Sequence, residues 1–374
     1  MAGHPAKSPP HAVPRARRQP VRDDLGGRVR DAASAFVDAR ARELNAIDPA
    51  LASLTDAAAD LVRSGGKRLR PAFCYWGWRG AGGAEDGPEA DAAVVAAASL
   101  ELLHACALVQ DDVMDGAATR RGRPAAHRRL AAAHREAGWV GDQVTFGTSS
   151  AVLLGDLLLV WADEMLAASG LSDAAIRRAW PVYSRMRAEL ICGQYLDLVG
   201  QVSETLDLAA AMQVARYKSA KYTVERALHL GGVLAGADPP LLEAYSGFGL
   251  PIGEAFQLRD DVLGVFGDPA VTGKPAGDDL REGKRTALIA LTHANTDAAG
   301  RQVLRRLLGN PLLDADGVEQ LRTVIVTAGA LAGVEEMISD RTRAALAALR
   351  DGPIDAGARE SLTELAVAAT TRRR

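Results

Sequence analysis

The stretch from Leu100 to Asp115 reads Leu-Glu-Leu-Leu-His-Ala-Cys-Ala-Leu-Val-Gln-Asp-Asp-Val-Met-Asp, an apolar run that ends in three acids. Residues four apart share one face of a helix, so Asp111 and Asp115 point the same way, with Asp112 beside them. Like charges this close repel one another, and a bound cation would compensate them. Magnesium prefers oxygen ligands and often bridges carboxylates to substrate phosphates. The stretch therefore predicts a magnesium site on a helix, and the alternative is a solvated acidic helix end.

A second pair of acids, Asp260 and Asp261, lies 149 residues after the first and again ends a helical segment. Gly264 stands where a third acid would complete the same spacing. Two acid pairs on separate helices of a bundle can face one cavity. Such a cavity is expected to hold several metal ions around a diphosphate.

Basic residues supply the cations that a diphosphate needs. Segment 65–71 reads Gly-Gly-Lys-Arg-Leu-Arg-Pro, and its glycines let the backbone approach an anion while Lys and Arg bind phosphate oxygens. Segment 119–124, Thr-Arg-Arg-Gly-Arg-Pro, directly follows the first acids. Further cations are Lys218, Lys274 and those of segment 283–286, Gly-Lys-Arg-Thr. Acids that hold metal and cations that hold phosphate are what a diphosphate-processing site requires.

The composition indicates a folded, helical protein. Of the 374 residues, 48% are hydrophobic, which excludes a mainly disordered chain. The 44 Lys and Arg nearly balance the 47 Asp and Glu, which argues against a general nucleic-acid binder. From Leu25 onward, good helix formers dominate and apolar residues recur three and four apart. We therefore expect one all-α domain of ten or more helices over residues 25–374.

The first 24 residues differ from the rest, because they are rich in proline and arginine. Residues 1–24 are expected to be a disordered tail, with a transit peptide as the alternative. The most apolar runs, 92–109 and 151–165, both contain ionisable side chains, so no transmembrane segment is predicted. The three cysteines are widely spaced and fit neither a disulfide scaffold nor a zinc site, which makes the cytoplasm the default location.

Taken in order, the motifs resemble those of the trans-isoprenyl diphosphate synthases, also called polyprenyl synthetases, over roughly residues 60–290. The matching segments are 65–71, 111–115, 119–122, Gly193-Gln194-Tyr195-Leu196-Asp197-Leu198, Lys218-Ser219-Ala220-Lys221-Tyr222-Thr223, 256–261, Thr272-Gly273-Lys274-Pro275 and Glu282-Gly283-Lys284-Arg285-Thr286. Each motif alone is common, but all of them in this order are highly specific. Within the family, the chain is most similar to bacterial geranylgeranyl diphosphate synthases.

The resemblance implies an all-α prenyltransferase with a central cavity between antiparallel helices, usually a homodimer. It also implies the reaction. An allylic diphosphate loses pyrophosphate, isopentenyl diphosphate attacks the allylic cation, and loss of a proton leaves a chain five carbons longer. Mg²⁺ on the diphosphate would stabilise the charge of the leaving group.

The resemblance also assigns roles to residues. The implied metal ligands are Asp111, Asp115 and Asp260, supported by Asp112 and Asp261. The implied clamp on the allylic diphosphate is Lys218, Lys274, Arg120 and Lys284. The implied site for isopentenyl diphosphate is Lys67, Arg70, His104 and Arg121. Gln257 and the hydroxyl of Ser219 would stabilise the cation or position its diphosphate, and the catalytic set is Lys218, Gln257 and Arg120.

Product length is expected to depend on the residues just before the first acids, because the family's product tail runs along that helix. Cys106 and Ala107 are small, where farnesyl-making relatives place an aromatic ring. We therefore expect a twenty-carbon product, geranylgeranyl diphosphate. Leu103 or Leu100, one and two turns deeper, could stop growth, and facing helices could equally do so. Farnesyl and longer products remain the alternatives.

Two other functions are open at this stage. A class I terpene cyclase also uses acids and magnesium, but its second metal motif normally mixes Asn, Ser or Thr with Glu, unlike the Asp260–Asp261 pair. A non-catalytic subunit of a heteromeric synthase would have lost acids that this chain keeps. Away from the motifs, His127 and His134 are expected at the surface of a helix, and Tyr195 is expected in the core.

Overall fold

The structure is a computed structural model that describes residues 20–203, 206–268 and 277–371. Nearly all of these residues are helical, which confirms the all-α prediction. The helices are α1 (Pro20–Asn45), α2 (Ala52–Arg63), α3 (Leu69–Gly80), α4 (Pro88–Met114), α5 (Ala126–Glu136), α6 (Gln143–Ala167), α7 (Asp173–Val202), α8 (Leu208–Val214), a π-helical segment (Ala215–Glu225), α9 (Arg226–Ala235), α10 (Pro239–Phe266), α11 (Asp278–Glu282), α12 (Ala287–Asn295), α13 (Ala298–Leu307), α14 (Ala315–Thr327), α15 (Ala330–Asp351) and α16 (Ala356–Thr370).

Two minor elements complete the described part of the chain. A single 3₁₀ turn (Pro49–Leu51) precedes α2, and two short strands, β1 (Thr119–Arg120) and β2 (Arg123–Pro124), pair antiparallel. Helix α1 begins at Pro20, inside the segment 1–24 that the sequence predicts as a tail. The rest of that segment lies outside the described residues, so the tail and its boundary stay predictions.

Helix α4 lies at the centre because it is apolar on almost every side. Ala96, Ala97 and Ala98 are fully buried, and their small side chains let neighbouring helices approach closely. Helix α6 packs along α4 where Gly155 lies against the side chain of Gln110. A second, smaller core joins α10 to α12, α14 and α15. The C-terminal end of α4, which carries the first acids, is therefore supported on several sides.

Three long helices, α6, α7 and α10, begin at side-chain caps. Asp142, Ser172 and Asp238 accept hydrogen bonds from backbone N–H groups in the first turns of α6, α7 and α10. The π-helical segment follows α8 without a break, and π-helical turns often occur at functional sites. A Cβ on Gly193 of α7 would collide with the backbone of Lys218, so the glycine is what lets α7 and the π-helical segment touch.

The structure corrects three expectations about single side chains. His127 and His134 are buried, although they were expected at the surface. The reason for His134 is that the start of α6 folds back over α5, and its ring packs 5.0 Å from that of Phe146 while Nε2 bonds to the carbonyl of Val140. Tyr195 was expected in the core and is 66% exposed.

Two helices are long and apolar enough to cross a membrane by length and composition alone. Helix α4 is mostly buried inside the protein, which is typical of a core helix. Helix α6 is buried over only about a third of its apolar stretch and exposes Val152, Leu153 and Val160. One or two such helices are weak evidence for a membrane span. The exposure of the apolar side chains on α6 therefore needs another explanation.

Candidate active site

The first acid cluster consists of Asp111, Asp112 and Asp115, and the hairpin after α4 returns an arginine to it. Arg120 Nε donates to Asp112 Oδ1 at 2.8 Å, and its Nη2 donates to Asp111 Oδ2 at 3.2 Å. Burial lowers the pKa of Arg120, but the hydrogen bond and charge of Asp112 outweigh it and raise that pKa. Arg120 is therefore held as a cation against two of the acids.

Asp111 is the most connected acid. Its Oδ1 accepts from Lys218 Nζ at 2.9 Å and from Gln194 Nε2 at 3.1 Å. Burial raises the pKa of Asp111, but the charges of Lys218, Lys284 and Arg120 outweigh it and hold the pKa below its ordinary value. The carboxylate is ionised at neutral pH and is ready to bind a cation.

Lys218 is placed by the π-helical segment between two carboxylates. Besides Asp111, its Nζ donates to Asp197 Oδ2 at 2.6 Å. Burial lowers the pKa of Lys218, and the charges of Asp111 and Asp197 outweigh it and raise that pKa. Gln194 and Asp197 both belong to the motif at 193–198, which is one of the segments that resemble the family. The resemblance gave neither residue a role, although this motif was the signal that could have identified them.

Lys284 holds the third acid of the first cluster. Its Nζ lies 3.1 Å from Asp115 Oδ2 and 2.7 Å from Glu282 Oε2. Burial lowers the pKa of Lys284, but Asp279, Glu282 and Asp115 outweigh it and raise the pKa well above its ordinary value. Asp115 is 2% exposed, and its Oδ1 has no hydrogen-bond partner among the described residues. An orphaned, buried carboxylate oxygen of this kind suits a metal ion.

The second acid cluster, Asp260 and Asp261, has a different environment. Asp260 is exposed, whereas Asp261 is buried and accepts from Gln257 Nε2 at 2.7 Å. Burial raises the pKa of Asp261 to about 8, with Asp279 and Asp260 acting in the same direction against Gln257. A Cβ on Gly264 would collide with the carboxylate of Asp279. Helix α11 therefore places an acid directly beside Gly264, the position at which the second cluster lacks its third acid.

Lys284 also connects the two clusters, because its charge acts on the pKa of both Asp111 and Asp261. In the part of the chain that the structure describes, no three acidic, His or Cys side chains enclose an ion by themselves. Metal ions that take one or two carboxylates each and complete their shells with water and phosphate oxygens fit this arrangement. Lys274 lies outside the described residues.

A basic pocket lies beside the first acid cluster. It is lined by Arg68, Glu101, His104, Arg120 and Arg121, among others. Burial lowers the pKa of His104 well below its ordinary value, and the charges of the surrounding arginines add to this, so the ring is neutral.

The wall of this pocket continues through Tyr222. His104 Nδ1 lies 3.2 Å from Tyr222 Oη, and Arg70 donates to that same oxygen. The guanidinium of Arg70 also stacks 4.3 Å from the centroid of the Tyr222 ring. Lys67 is exposed in the glycine-rich loop before Arg68. The predicted isopentenyl diphosphate residues therefore surround one pocket or its rim.

Backbone strain is concentrated at the same pocket. Among the described non-glycine residues, only Arg68 and Arg121 have positive φ, at 49° and 53°. Arg68 forms a buried ion pair with Glu101, and Arg121 donates to the carbonyl of Gly65. These contacts hold two basic loops in conformations that an arginine rarely adopts. Local sequence patterns gave no signal for the Arg68–Glu101 pair, because the two residues lie 33 positions apart.

Below the acids, the side chains of α4 are apolar. Cys106 is buried, which raises the pKa of its thiol to about 12, and Leu103 and Leu100 are also buried. Ala107 is partly exposed, on the side of α4 that bears Asp111. Ser219 is on the buried side of the π-helical segment. The charged groups at the end of α4 therefore lie directly above a layer of apolar side chains.

Comparison with known proteins agrees with this geometry. A family model described as Polyprenyl synthetase matches residues 52–325. The chain is 36% identical over 282 residues to the geranylfarnesyl diphosphate synthase of Aeropyrum pernix, which covers 74% of this chain and 81% of that protein. It is 34% identical over 291 residues to a geranylgeranyl diphosphate synthase of Mycobacterium tuberculosis, covering 77% of this chain and 76% of that protein.

A solved structure extends the likeness to the whole fold. The geranylgeranyl pyrophosphate synthase from Corynebacterium glutamicum, complexed with isoprenyl diphosphate and magnesium, matches with a TM-score of 0.90 and 40% sequence identity. The match covers 94% of this chain and 99% of that one. With a family match over most of its length and relatives above 30% identity, the chain belongs to the polyprenyl synthetase family.

Proposed function

We propose that this prenyl synthase elongates an allylic diphosphate with isopentenyl diphosphate and releases geranylgeranyl diphosphate as its main product. The observation that carries the proposal is the arrangement of charge around α4. Acids with lysine partners lie on one side of Asp111, and a basic pocket with a neutral histidine lies on the other. Two diphosphates can therefore bind at once with their hydrocarbon ends toward one apolar cavity.

The reaction follows from this placement. The C–O bond of the allylic diphosphate breaks, and pyrophosphate leaves with the electron pair, stabilised by Lys218, Arg120 and Lys284. The double bond of isopentenyl diphosphate attacks the allylic carbon, and the released pyrophosphate then takes a proton from the resulting cation, which forms the new double bond. The basic pocket with His104 and Arg70 fixes the second diphosphate, so that the double bond faces the cation.

Magnesium is the metal that the donors fit, because they are carboxylates and substrate phosphates. Asp111, Asp115 and Asp260 would hold it, with Asp112 and Asp261 in support. When bound, it supplies positive charge that stabilises the departing pyrophosphate. The chain's own contribution is to keep Asp111 ionised and Asp115 desolvated before the metal binds.

The proposed product length rests on the small side chains Cys106 and Ala107 on α4. The relatives do not decide it, because they include both geranylgeranyl and geranylfarnesyl synthases. The test is a product assay with Mg²⁺, isopentenyl diphosphate and, separately, dimethylallyl, geranyl or farnesyl diphosphate. We expect geranylgeraniol to dominate after dephosphorylation, and Cys106→Phe to shorten the product. Farnesol alone, or mainly longer alcohols, would contradict the proposed length, and no elongation by folded protein would favour a non-catalytic subunit.

The proposed assembly is a cytoplasmic homodimer that buries the apolar faces of α6 and α7. Val152, Leu153 and Val160 of α6 are exposed, as are Ile191 and Tyr195 of α7. Apolar side chains exposed together on two helices mark an interaction surface. We expect a dimer by light scattering, which Leu153→Glu with Ile191→Glu converts to monomer. Leu312→Glu, at an exposed leucine outside these helices, is the matched control and should leave the dimer intact.

A further inference from the structure

Helix α7 borders the apolar layer below the acids. Gln194 Nε2 donates to Asp111 Oδ1, which joins α7 to α4 at the level of the acids. On both helices the contact lies near the C-terminal end, so lower residue numbers lie deeper. The two helices remain neighbours at depth, because Cys106 of α4 and Tyr183 of α7 lie in the same buried hydrophobic cluster.

The large buried side chains of α7 below Gln194 are Leu190, Met186 and Tyr183. They are spaced three and four residues apart, so they form one stripe. Tyr183 lies three turns below Gln194, about 16 Å at 1.5 Å per residue. By the same measure Leu100 lies equally far below Asp111. Tyr183 is fully buried and belongs to the same core cluster as Leu103 and Leu100.

The ring of Tyr183 packs against two large neighbours, Arg187 and Trp180. The guanidinium of Arg187 lies 4.5 Å from its centroid, and Trp180 packs 5.8 Å away. Arg187 Nη1 in turn donates to Asp163 Oδ2 on α6 at 2.7 Å. A buried aromatic ring that is stacked on a salt-bridged guanidinium cannot swing aside as an unbranched side chain can.

We propose that Tyr183 is the floor of the product cavity and the residue that stops elongation. The inference rests on the proposed function. A chain that grows down the stripe between α4 and α7 passes the small Cys106 and Ala107 and then meets a rigid ring at the depth of Leu100. Tyr183 therefore sets product length from α7. It lies deeper than Cys106 and Ala107 of α4, where a bulky side chain would give a shorter product.

The test compares products of the wild-type chain, Tyr183→Leu and Tyr183→Phe with farnesyl diphosphate as primer. Tyr183→Phe keeps the ring and should leave the product unchanged. Tyr183→Leu removes the ring and should shift the main product by at least one five-carbon unit. Arg187→Met keeps the ring but frees it, so we expect a mixture of the two lengths. Tyr183→Met, which fills the core flexibly, replaces the leucine variant if that variant does not fold.

A double variant makes the assignment of depth stricter. Cys106→Phe lies closer to the acids than Tyr183, so it should shorten the product equally with or without Tyr183→Leu. A folded Tyr183→Leu or Tyr183→Met chain with the wild-type product would overturn the inference. If the wild-type enzyme releases a product of another length, but Tyr183→Leu makes that product longer, the proposed product is revised and the assignment of Tyr183 as the floor is supported. A wild-type chain that elongates no primer overturns the proposed function and the inference with it.

Discussion

The two acid clusters differ in how the protein compensates their charge. In the first cluster, Asp111 and Asp115 face Lys218 and Lys284 at 2.9 and 3.1 Å, and the pKa of Asp111 is lowered. In the second cluster, the buried Asp261 accepts a hydrogen bond from the neutral amide of Gln257, and burial raises its pKa to about 8. The protein therefore favours the ionised form of Asp111 on α4 and the neutral form of Asp261 on α10.

This difference indicates an order of events. The first cluster has its charge balanced by built-in cations, so it can bind metal and diphosphate without first losing a proton. Asp261 must lose a proton to become a ligand, so metal binding at the second cluster is coupled to pH. The first cluster is therefore the one prepared to bind a metal–diphosphate complex at neutral pH without losing a proton.

The largest expected effect is on turnover. Asp111→Ala removes the acid that contacts Lys218, Arg120 and Gln194, and we expect kcat to fall about 10³-fold, as when a transition-state-stabilising group is lost. Asp260→Ala, at the exposed acid of the second cluster, should cost at least tenfold less. Asp91→Asn on the same helix as Asp111 is an exposed control and should retain full activity. Equal losses for Asp111→Ala and Asp260→Ala would remove the distinction between the clusters.

The next effect is on stability. Lys284→Met leaves Asp115 and Glu282 buried without their cation, and loss of one partner from such a site costs about 3 kcal/mol. The free energy of unfolding of the metal-free protein, measured by denaturant titration, should fall by this amount. Mg²⁺ with pyrophosphate should restore part of it. Arg343→Met breaks an exposed ion pair with Asp340 and should cost less than about 1 kcal/mol.

Some of this was predictable from the sequence. The helical period and the apolar run before Asp111 predicted the all-α fold and the acid cluster, because both depend on neighbours within a few residues. The Arg68–Glu101 pair and the contact between Lys218 and Asp197 join different elements of the fold. Periodicity predicts which face of a helix is buried, but it does not predict which neighbouring element packs against that face. For the same reason Cys106 and Ala107 could indicate an open wall, while Tyr183 was found only from the packing of α7.

A third effect concerns pH, and it has opposite sign in the two clusters. The pKa of Asp261 is raised by folding, so the metal-free protein loses stability from this group as pH rises from about 4 to about 8. Asp261→Asn should remove that loss and stabilise the metal-free chain at pH 8 by about 2 kcal/mol.

The pKa of Asp111 is lowered instead, so its contribution is present above the unfolded value and is lost on acidification. Asp111→Asn should therefore destabilise the chain at pH 8. Thermal melts of both variants and wild type from pH 5 to 9 test this contrast. A shift of the same sign for both variants at pH 8 would contradict it.

The smallest effect tests whether Asp279 replaces the acid missing at Gly264. An added side chain at Gly264 collides with the end of the Asp279 side chain, which can rotate away, so we expect a cost of about 1 kcal/mol. Gly264→Asp should raise the Mg²⁺ concentration for half-maximal activity several-fold, because it also places like charges together. Gly264→Ala adds a side chain without a charge, so its effect on stability and on the Mg²⁺ requirement measures the steric contribution alone.

The reciprocal exchange decides between replacement and simple crowding. If Asp279 acts as the third acid of the second cluster, Asp279→Ala alone should weaken Mg²⁺ binding, and adding Gly264→Asp should restore it. If Asp279 only fills space beside Lys284, the double variant should bind Mg²⁺ no better than Asp279→Ala. Direct titration with Mn²⁺ in the presence of pyrophosphate gives the affinity independently of turnover. Restoration would mean that the second cluster has three acids like the first, with one delivered from α11 instead of from the next helical turn of α10.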